Sequence, residues 1–238
     1  MKAGILAAGL GERLYSGGIT TPKALVQVRG RMLLSHALFA VAEAGAREAV
    51  IAVNDRDAEA VAAALRDDAL PIPFELVRRT TASSFETFAL LAPHLRGESH
   101  ALVAMVDGVF EPGAASRFGN AAREVVEVSA EDAPDGLIGV TDRRDEDRPL
   151  RVSFGTGARI LAIGPGAEGS PWSTAGLYLL PERAFAPETL AEGLGALRDL
   201  LARLVGLGLR LRAEPLGVVV DVDRPDDLAA AELLLRDA

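Results

Sequence analysis

The chain has 238 residues, a net charge of -9 and no cysteine. That length suits one large α/β domain or two small ones, and a hydrophobic share of 49% is ample for a packed core. The acidic balance argues against a nucleic-acid partner and an anionic membrane surface. The lack of cysteine excludes disulfides, thiolate nucleophiles and cysteine-held zinc, and fits a reducing cytoplasm.

Taken in order, the first half alternates strand and helix. Ala3–Ala8 is a short apolar run ended by glycine and reads as a buried strand. The apolar stretch Ala3–Leu10 is followed at once by Glu12 and Arg13, so it suits a strand entering a loop better than a leader peptide. Arg31–Ala44 carries Leu33, Leu34, Ala37, Leu38 and Val41 at helical spacing, with Gly45 closing it. Glu48–Val53 reads as a strand, Asp57–Leu65 as a helix and Ile72–Val77 as a strand. Ser83–Leu95 reads as a helix, and Ser83 followed by Glu86 forms a capping box. His100–Val106 is a fourth strand. Strands alternating with helices of this length imply parallel βαβ units covered on both faces.

The second half is less regular. Gly113–Val128 reads as a helix and Gly136–Thr141 as a strand. Thr141–Pro149 is a charged turn. Leu150–Phe154 and Arg159–Ile163 flank a glycine-containing turn and read as a hairpin. Ser173–Leu180 is a strand, Pro181–Leu207 mostly helix and Gly217–Val222 a last buried strand. Pro225–Arg236 closes the chain as a helix with proline in its first turn. No apolar run approaches the ~20 residues of a membrane span. With no repeat or linker, the expectation is one domain.

The opening AAGLGER has the composition of a phosphate cradle at the carboxyl edge of a parallel sheet. Two familiar phosphate motifs fail. The dinucleotide fingerprint lacks its third glycine, because Leu14 stands there. The P-loop fails because Lys23 lies between Pro22 and Ala24. Lys23 is conspicuous for another reason: of 25 basic residues only Lys2 and Lys23 are lysines. An ammonium is a compact point charge and a guanidinium a planar fork, so the two are not interchangeable. Later, Asp221 and Asp223 alternate in GVVVDVD and can share one face of a strand.

Together these stretches resemble the nucleotidyltransferases with a GT-A-like, Rossmann-related fold: the sugar-1-phosphate, MobA-like and cytidylyltransferase branches. Leu6, Ala7, Ala8, Gly9, Gly11, Arg13 and Leu14 match the glycine-loop motif, and Pro22, Lys23 and Leu25 the P-K-x-L motif. Asp107 ends the fourth strand as the family's metal-binding aspartate does. DVDRPDDL, with Asp221, Asp223, Pro225, Asp227 and Leu228, resembles the late acidic motif, and TAGLYLL (Thr174–Leu180) the family's N-A-G-I-Y strand. Arg224 and Thr174 depart from the usual Thr and Asn, and TTASS lacks the glycine-containing base loop of many members.

The resemblance implies a three-layer α/β/α fold with a mixed, mainly parallel sheet. Residues 1–110 would form a nucleotide-binding half and 111–238 an acceptor-binding half of one domain. It implies transfer of a nucleoside monophosphate from a nucleoside triphosphate to a phosphorylated acceptor, with release of pyrophosphate. Arg13 and Lys23 would act on the phosphates. Leu6, Ala7, Ala8, Gly9 and Gly11 would cradle the nucleotide, with Thr81, Ala82 and Ser84 near base and ribose. Mg²⁺ would be held by Asp107 with Asp221, Asp223 or both. The acceptor phosphate is already an anion, so no protein nucleophile is needed, and His36, His94 and His100 read as surface or structural. Three alternatives stand beside this: a non-catalytic nucleotide-binding subunit, guanylyl transfer to a molybdopterin-type cofactor, and a dehydrogenase on a similar sheet, which Leu14 disfavours. Sequence leaves the nucleotide base, the acceptor and the oligomeric state open.

Overall fold

The computed structural model describes residues 1–66, 68–128, 133–142, 149–190 and 193–236. Its centre is a seven-stranded sheet. In chain order the strands are β1 (Lys2–Ala7), the two-residue β2 (Gln27–Val28) and β3 (Arg31–Met32), β4 (Glu48–Val53), β5 (Phe74–Arg78) and β6 (His100–Met105). There follow β7 (Gly108–Phe110), β8 (Gly136–Thr141), β9 (Val152–Phe154), β10 (Ile160–Ile163), β11 (Ser173–Pro181), β12 (Leu211–Pro215) and β13 (Val219–Asp221). The central order is β12-β8-β11-β6-β1-β4-β5. Only β11 runs against its neighbours, being antiparallel to both β6 and β8. The sheet is therefore mixed and mainly parallel, as expected.

The helices are α1 (Glu12–Ser16), α2 (Leu33–Glu43), α3 (Ala58–Arg66), α4 (Ser84–Leu95), α5 (Ala114–Glu127), α6 (Leu197–Gly206) and α7 (Pro225–Leu234). Side-chain alternation along β1 shows how the layers form. Ala3, Ile5 and Ala7 face the core shared with α2, α3 and α5 (Leu38, Val61, Phe118). Leu6 and Ala8 face the core shared with α4 and α6 (Phe88, Leu91, Leu200). A third cluster, with Leu14, Val28, Leu33, Val109, Val222 and Ala231, packs α1 and α7 against β2 and the β7–β13 ribbon.

Most expected elements form, with four corrections. Arg31 and Met32 belong to β3, so α2 begins at Leu33. Pro181–Leu207 is not one helix: a 3-10 turn at Glu182–Phe185 is followed by α6 only from Leu197. Gly193 has φ 99°, which breaks helical backbone ahead of α6. Gly217–Val222 does not join the central sheet; its β13 pairs antiparallel with β7. The edge strand is instead β12, where buried Leu211 and Ala213 alternate with half-exposed Arg212 and Glu214. The charged turn over Thr141–Pro149 lies mostly outside the described residues, at 143–148.

Candidate active site

At the carboxyl ends of β1 and β6 an open cleft of about 400 Å³ passes between the loop after β1 and the first turn of α4. Leu6, Ala8, Gly9, Gly11, Arg13, Lys23, Thr81, Ala82, Ser84, Asp107 and Asp223 all line it. Two candidates do not. Ala7 alternates to the opposite face of β1, with its methyl in the α2 core. Asp221 pairs with Gly108 inside the β13–β7 ribbon and is absent from the lining.

The ribbon explains how distant residues meet. Because Asp221 stands opposite Gly108, the residue before β7 and the segment after β13 come together. The backbone N–H of Val222 donates to the carbonyl of Asp107 at 3.0 Å. The next residue, Asp223, then faces Asp107 across Lys23. Asp223 does not cap α7: Asp227 does, accepting from the N–H groups of Asp223 (2.9 Å) and Arg224 (2.6 Å). The Asp223 carboxylate is thereby left for the cleft.

Lys23 follows Pro22 on a 3-10 turn, and its side chain is only 10% exposed. It donates to Asp107 Oδ2 at 2.7 Å and also to Asp223 Oδ1. Arg13 Nη1 donates to Asp223 Oδ2 at 2.8 Å. Burial pushes the Lys23 pKa down, and the charges and hydrogen bonds of Asp107 and Asp223 outweigh it, so the pKa stands above its ordinary value. Lys23 is therefore charged at neutral pH.

The loop geometry is local. Gly11 holds φ 65°, a left-handed conformation suited to glycine, and a Cβ there would lie 3.0 Å from Lys23 Cβ. One loop contact is not apparent from the motifs: Arg56 Nη2 donates to the Leu10 carbonyl at 2.9 Å. Asp57 orients Arg56 through its Nε at 2.8 Å, and Asn54 Nδ2 donates to Asp57 at 2.8 Å. The sequence signal was Asn54-x-x-Asp57 directly after a strand, a local Asx arrangement.

Across the cleft, Ser83 caps α4 by accepting from Glu86 N–H at 3.2 Å, and Glu86 accepts from Ala82 N–H at 2.8 Å. Ser84 lines the cleft, but its hydroxyl accepts from Leu197 N–H at 3.0 Å and so joins α4 to α6. Trp172 lies outside this cleft, tilted against Phe154 with ring centroids 5.5 Å apart. None of the three histidines lines it either; His36, for example, hydrogen-bonds the Val28 carbonyl at 3.0 Å.

Among the described residues no three acidic or imidazole side chains gather into a metal-holding group. The two carboxylates that converge are Asp107 and Asp223. Their oxygens are the donors a hard cation takes, completed by substrate phosphates; in this structure both carboxylates are engaged by the Lys23 ammonium.

Residues 3–205 match the family described as the MobA-like NTP transferase domain. The chain belongs to that family. Asp223 lies beyond the matched stretch, so its place in the cleft rests on the geometry above. The chain is 33% identical over 211 residues to the CMP-5'-(3-aminopropyl)phosphonate synthase of Streptomyces rubellomurinus. That match takes in 87% of this chain, and the chain spans about a third (32%) of that relative's length. Two solved structures share the fold. The inositol-1-phosphate CTP transferase of T. maritima superposes with a TM-score of 0.78 at 21% identity, over 98% of this chain and 94% of that one. A putative glucose-1-phosphate thymidylyltransferase of Bacillus anthracis gives 0.78 at 19% identity, over 100% and 96%. No helix among the described residues is long and apolar enough to cross a membrane.

Proposed function

We propose that the chain transfers a nucleoside monophosphate, with CTP as the leading donor, to a small acceptor bearing a phosphate or phosphonate. The observation that carries this reading is the meeting of Lys23, Asp107, Asp223 and Arg13 in one cleft from four separate stretches of sequence. CTP and a phosphonate are favoured because the 33% identical relative is named for a CMP-phosphonate product.

An acceptor oxygen attacks the α-phosphorus in line, the bond from that phosphorus to the bridging oxygen breaks, and pyrophosphate leaves. This chemistry depends on positioning and charge stabilisation more than on covalent catalysis. Lys23 stabilises the charge that develops on the α-phosphate oxygens. Arg13, exposed at the mouth of the cleft, serves the β- and γ-phosphates. The glycine loop, held at Leu10 by Arg56, gives the phosphates a close approach to backbone. Asp107 and Asp223 would hold Mg²⁺, which supplies charge neutralisation for the triphosphate.

The test is pyrophosphate release with Mg²⁺, crossing CTP, GTP, UTP, ATP and dTTP with sugar 1-phosphates, polyol phosphates, phosphocholine and aminoalkylphosphonates. Release that needs one nucleotide and one acceptor together supports the reading. Absence of both release and triphosphate binding contradicts it.

A further inference from the structure

Four charged side chains close on one another in the cleft. The Lys23 ammonium donates to Asp107 Oδ2 and to Asp223 Oδ1, and Arg13 Nη1 donates to Asp223 Oδ2. Both oxygens of Asp223 are therefore engaged by cationic donors. Two carboxylates and two basic groups cancel in charge. The backbone fixes the carboxylates from behind: the Val222 N–H bonds the Asp107 carbonyl, and Asp227 accepts from the N–H of Asp223. The basic groups are the parts of the set that can move, and Lys23 carries its charge on a flexible stem.

Resting on the proposal that this cleft binds a nucleoside triphosphate with Mg²⁺, we infer that Lys23 gates the metal. While its ammonium bridges Asp107 and Asp223, these carboxylates are closed to a divalent ion, and they open only when a triphosphate draws the ammonium away. A dication approaching a neutral set meets no net attraction. To take either carboxylate it must also break a charge-assisted hydrogen bond in a partly buried site. The triphosphate reverses both conditions. Its oxygens compete for the ammonium and the Arg13 guanidinium, and its charge turns the set strongly negative. Lys23 passes to the α-phosphate, and Asp107 and Asp223 are left to a divalent ion. The coupling is reciprocal: a triphosphate alone strips both carboxylates of their partner, so it too binds weakly without a divalent ion. One lysine thus keeps the two carboxylates for a metal that arrives with its nucleotide.

The experiment is titration of the full chain with Mn²⁺ alone, followed by the electron paramagnetic resonance of free Mn²⁺. It compares wild type, Lys23→Met, Arg13→Gln and the double variant Lys23→Met, Asp223→Asn. Wild type is expected to bind weakly. Lys23→Met keeps an unbranched apolar stem and removes the charge, so affinity should rise by ~10- to 100-fold as two facing carboxylates lose their counter-ion. Adding Asp223→Asn should abolish that gain, which a change in packing at position 23 alone would not require. Arg13→Gln is safe for the fold because the arginine side chain is 61% exposed, and it should gain ~2- to 5-fold, the worth of an exposed ion pair. Thermal melts show whether Lys23→Met is folded, and Mn²⁺ should raise its Tm more than that of wild type. Unchanged Mn²⁺ affinity in Lys23→Met, or in Arg13→Gln if Lys23→Met does not fold, would overturn the gate. The proposed function would still stand if calorimetry showed wild type binding a triphosphate in Mg²⁺. Failure of every triphosphate to bind would overturn both.

Discussion

Lys23 donates a 2.7 Å hydrogen bond to Asp107, although 84 positions separate them. The same ammonium reaches Asp223, 200 positions away. A cation between two carboxylates in a partly buried cleft is balanced only while all three are present.

Replacing Lys23 with alanine is expected to lower kcat by ~10²–10³-fold, the usual cost of removing one group that stabilises developing charge. Lys23→Arg should recover little of it. The guanidinium is wider than the ammonium, and the Lys23 side chain it would replace is mostly buried. Steady-state pyrophosphate release reads both. An arginine variant near wild-type rate would mean that any positive charge suffices.

The two carboxylates in the cleft should separate from the third. Asp107→Asn and Asp223→Asn are expected to raise the Mg²⁺ concentration needed for half-maximal rate by at least ~10-fold. Asp221, held in the β13–β7 ribbon, should leave it near the wild-type value when changed to Asn. A metal titration of the three variants checks this, and an equal shift in Asp221→Asn would return the metal role to that residue.

Gly11→Ala combines two effects. Its left-handed φ of 65° costs a non-glycine residue about 1–2 kcal/mol. The new Cβ also meets Lys23 Cβ at 3.0 Å and displaces the lysine. Urea unfolding should show the modest stability loss, while kcat falls by ~10-fold or more through misplacement of Lys23. Comparable, small losses in both would show that the loop shifts without moving the lysine.

Acid should loosen the glycine loop through Asp57. Burial raises the pKa of this carboxyl, but the hydrogen bonds from Arg56 and Asn54 and the Arg56 charge outweigh it and hold the pKa below the ordinary carboxylate value. A lowered folded-state pKa means that the contribution is complete above the unfolded value of ~3.9 and is lost as pH falls through the folded one. Asp57→Asn is therefore expected to cost about 1–2 kcal/mol, level from pH 5 to 8 and shrinking below ~4. Urea melts of both proteins across that range provide the check. A penalty that grew towards acid pH would contradict the sign.

Much of this arrangement is legible in the sequence. The alternation of Ile5 and Ala7 with Leu6 and Ala8 already separates the two faces of β1, and that alternation is also why Ala7 misses the cleft. The first five strand and helix periods place the sheet because each is a clean apolar pattern between turn residues. The edge strand β12 falls between the helical stretch ending at Leu207 and the strand read from Gly217, and its short alternation, buried Leu211 and Ala213 with Arg212 between, is too brief to stand out. The choice between Asp221 and Asp223 is not readable locally, since it depends on β13 pairing with β7 rather than with the central sheet. The double role of Ser84, lining the cleft and bonding α6, depends on a contact 113 positions away.

The account rests on attack by the acceptor at the α-phosphorus over Lys23, Asp107 and Asp223. The most direct test incubates the protein and CTP with an acceptor phosphate or phosphonate carrying ¹⁸O on its phosphorus, and follows the label by ³¹P NMR. The expected result is ¹⁸O in the bridge between the two phosphorus atoms of the product, with unlabelled pyrophosphate, and neither product in Lys23→Ala. Release of free CMP, or loss of the label from the bridge, would contradict the mechanism.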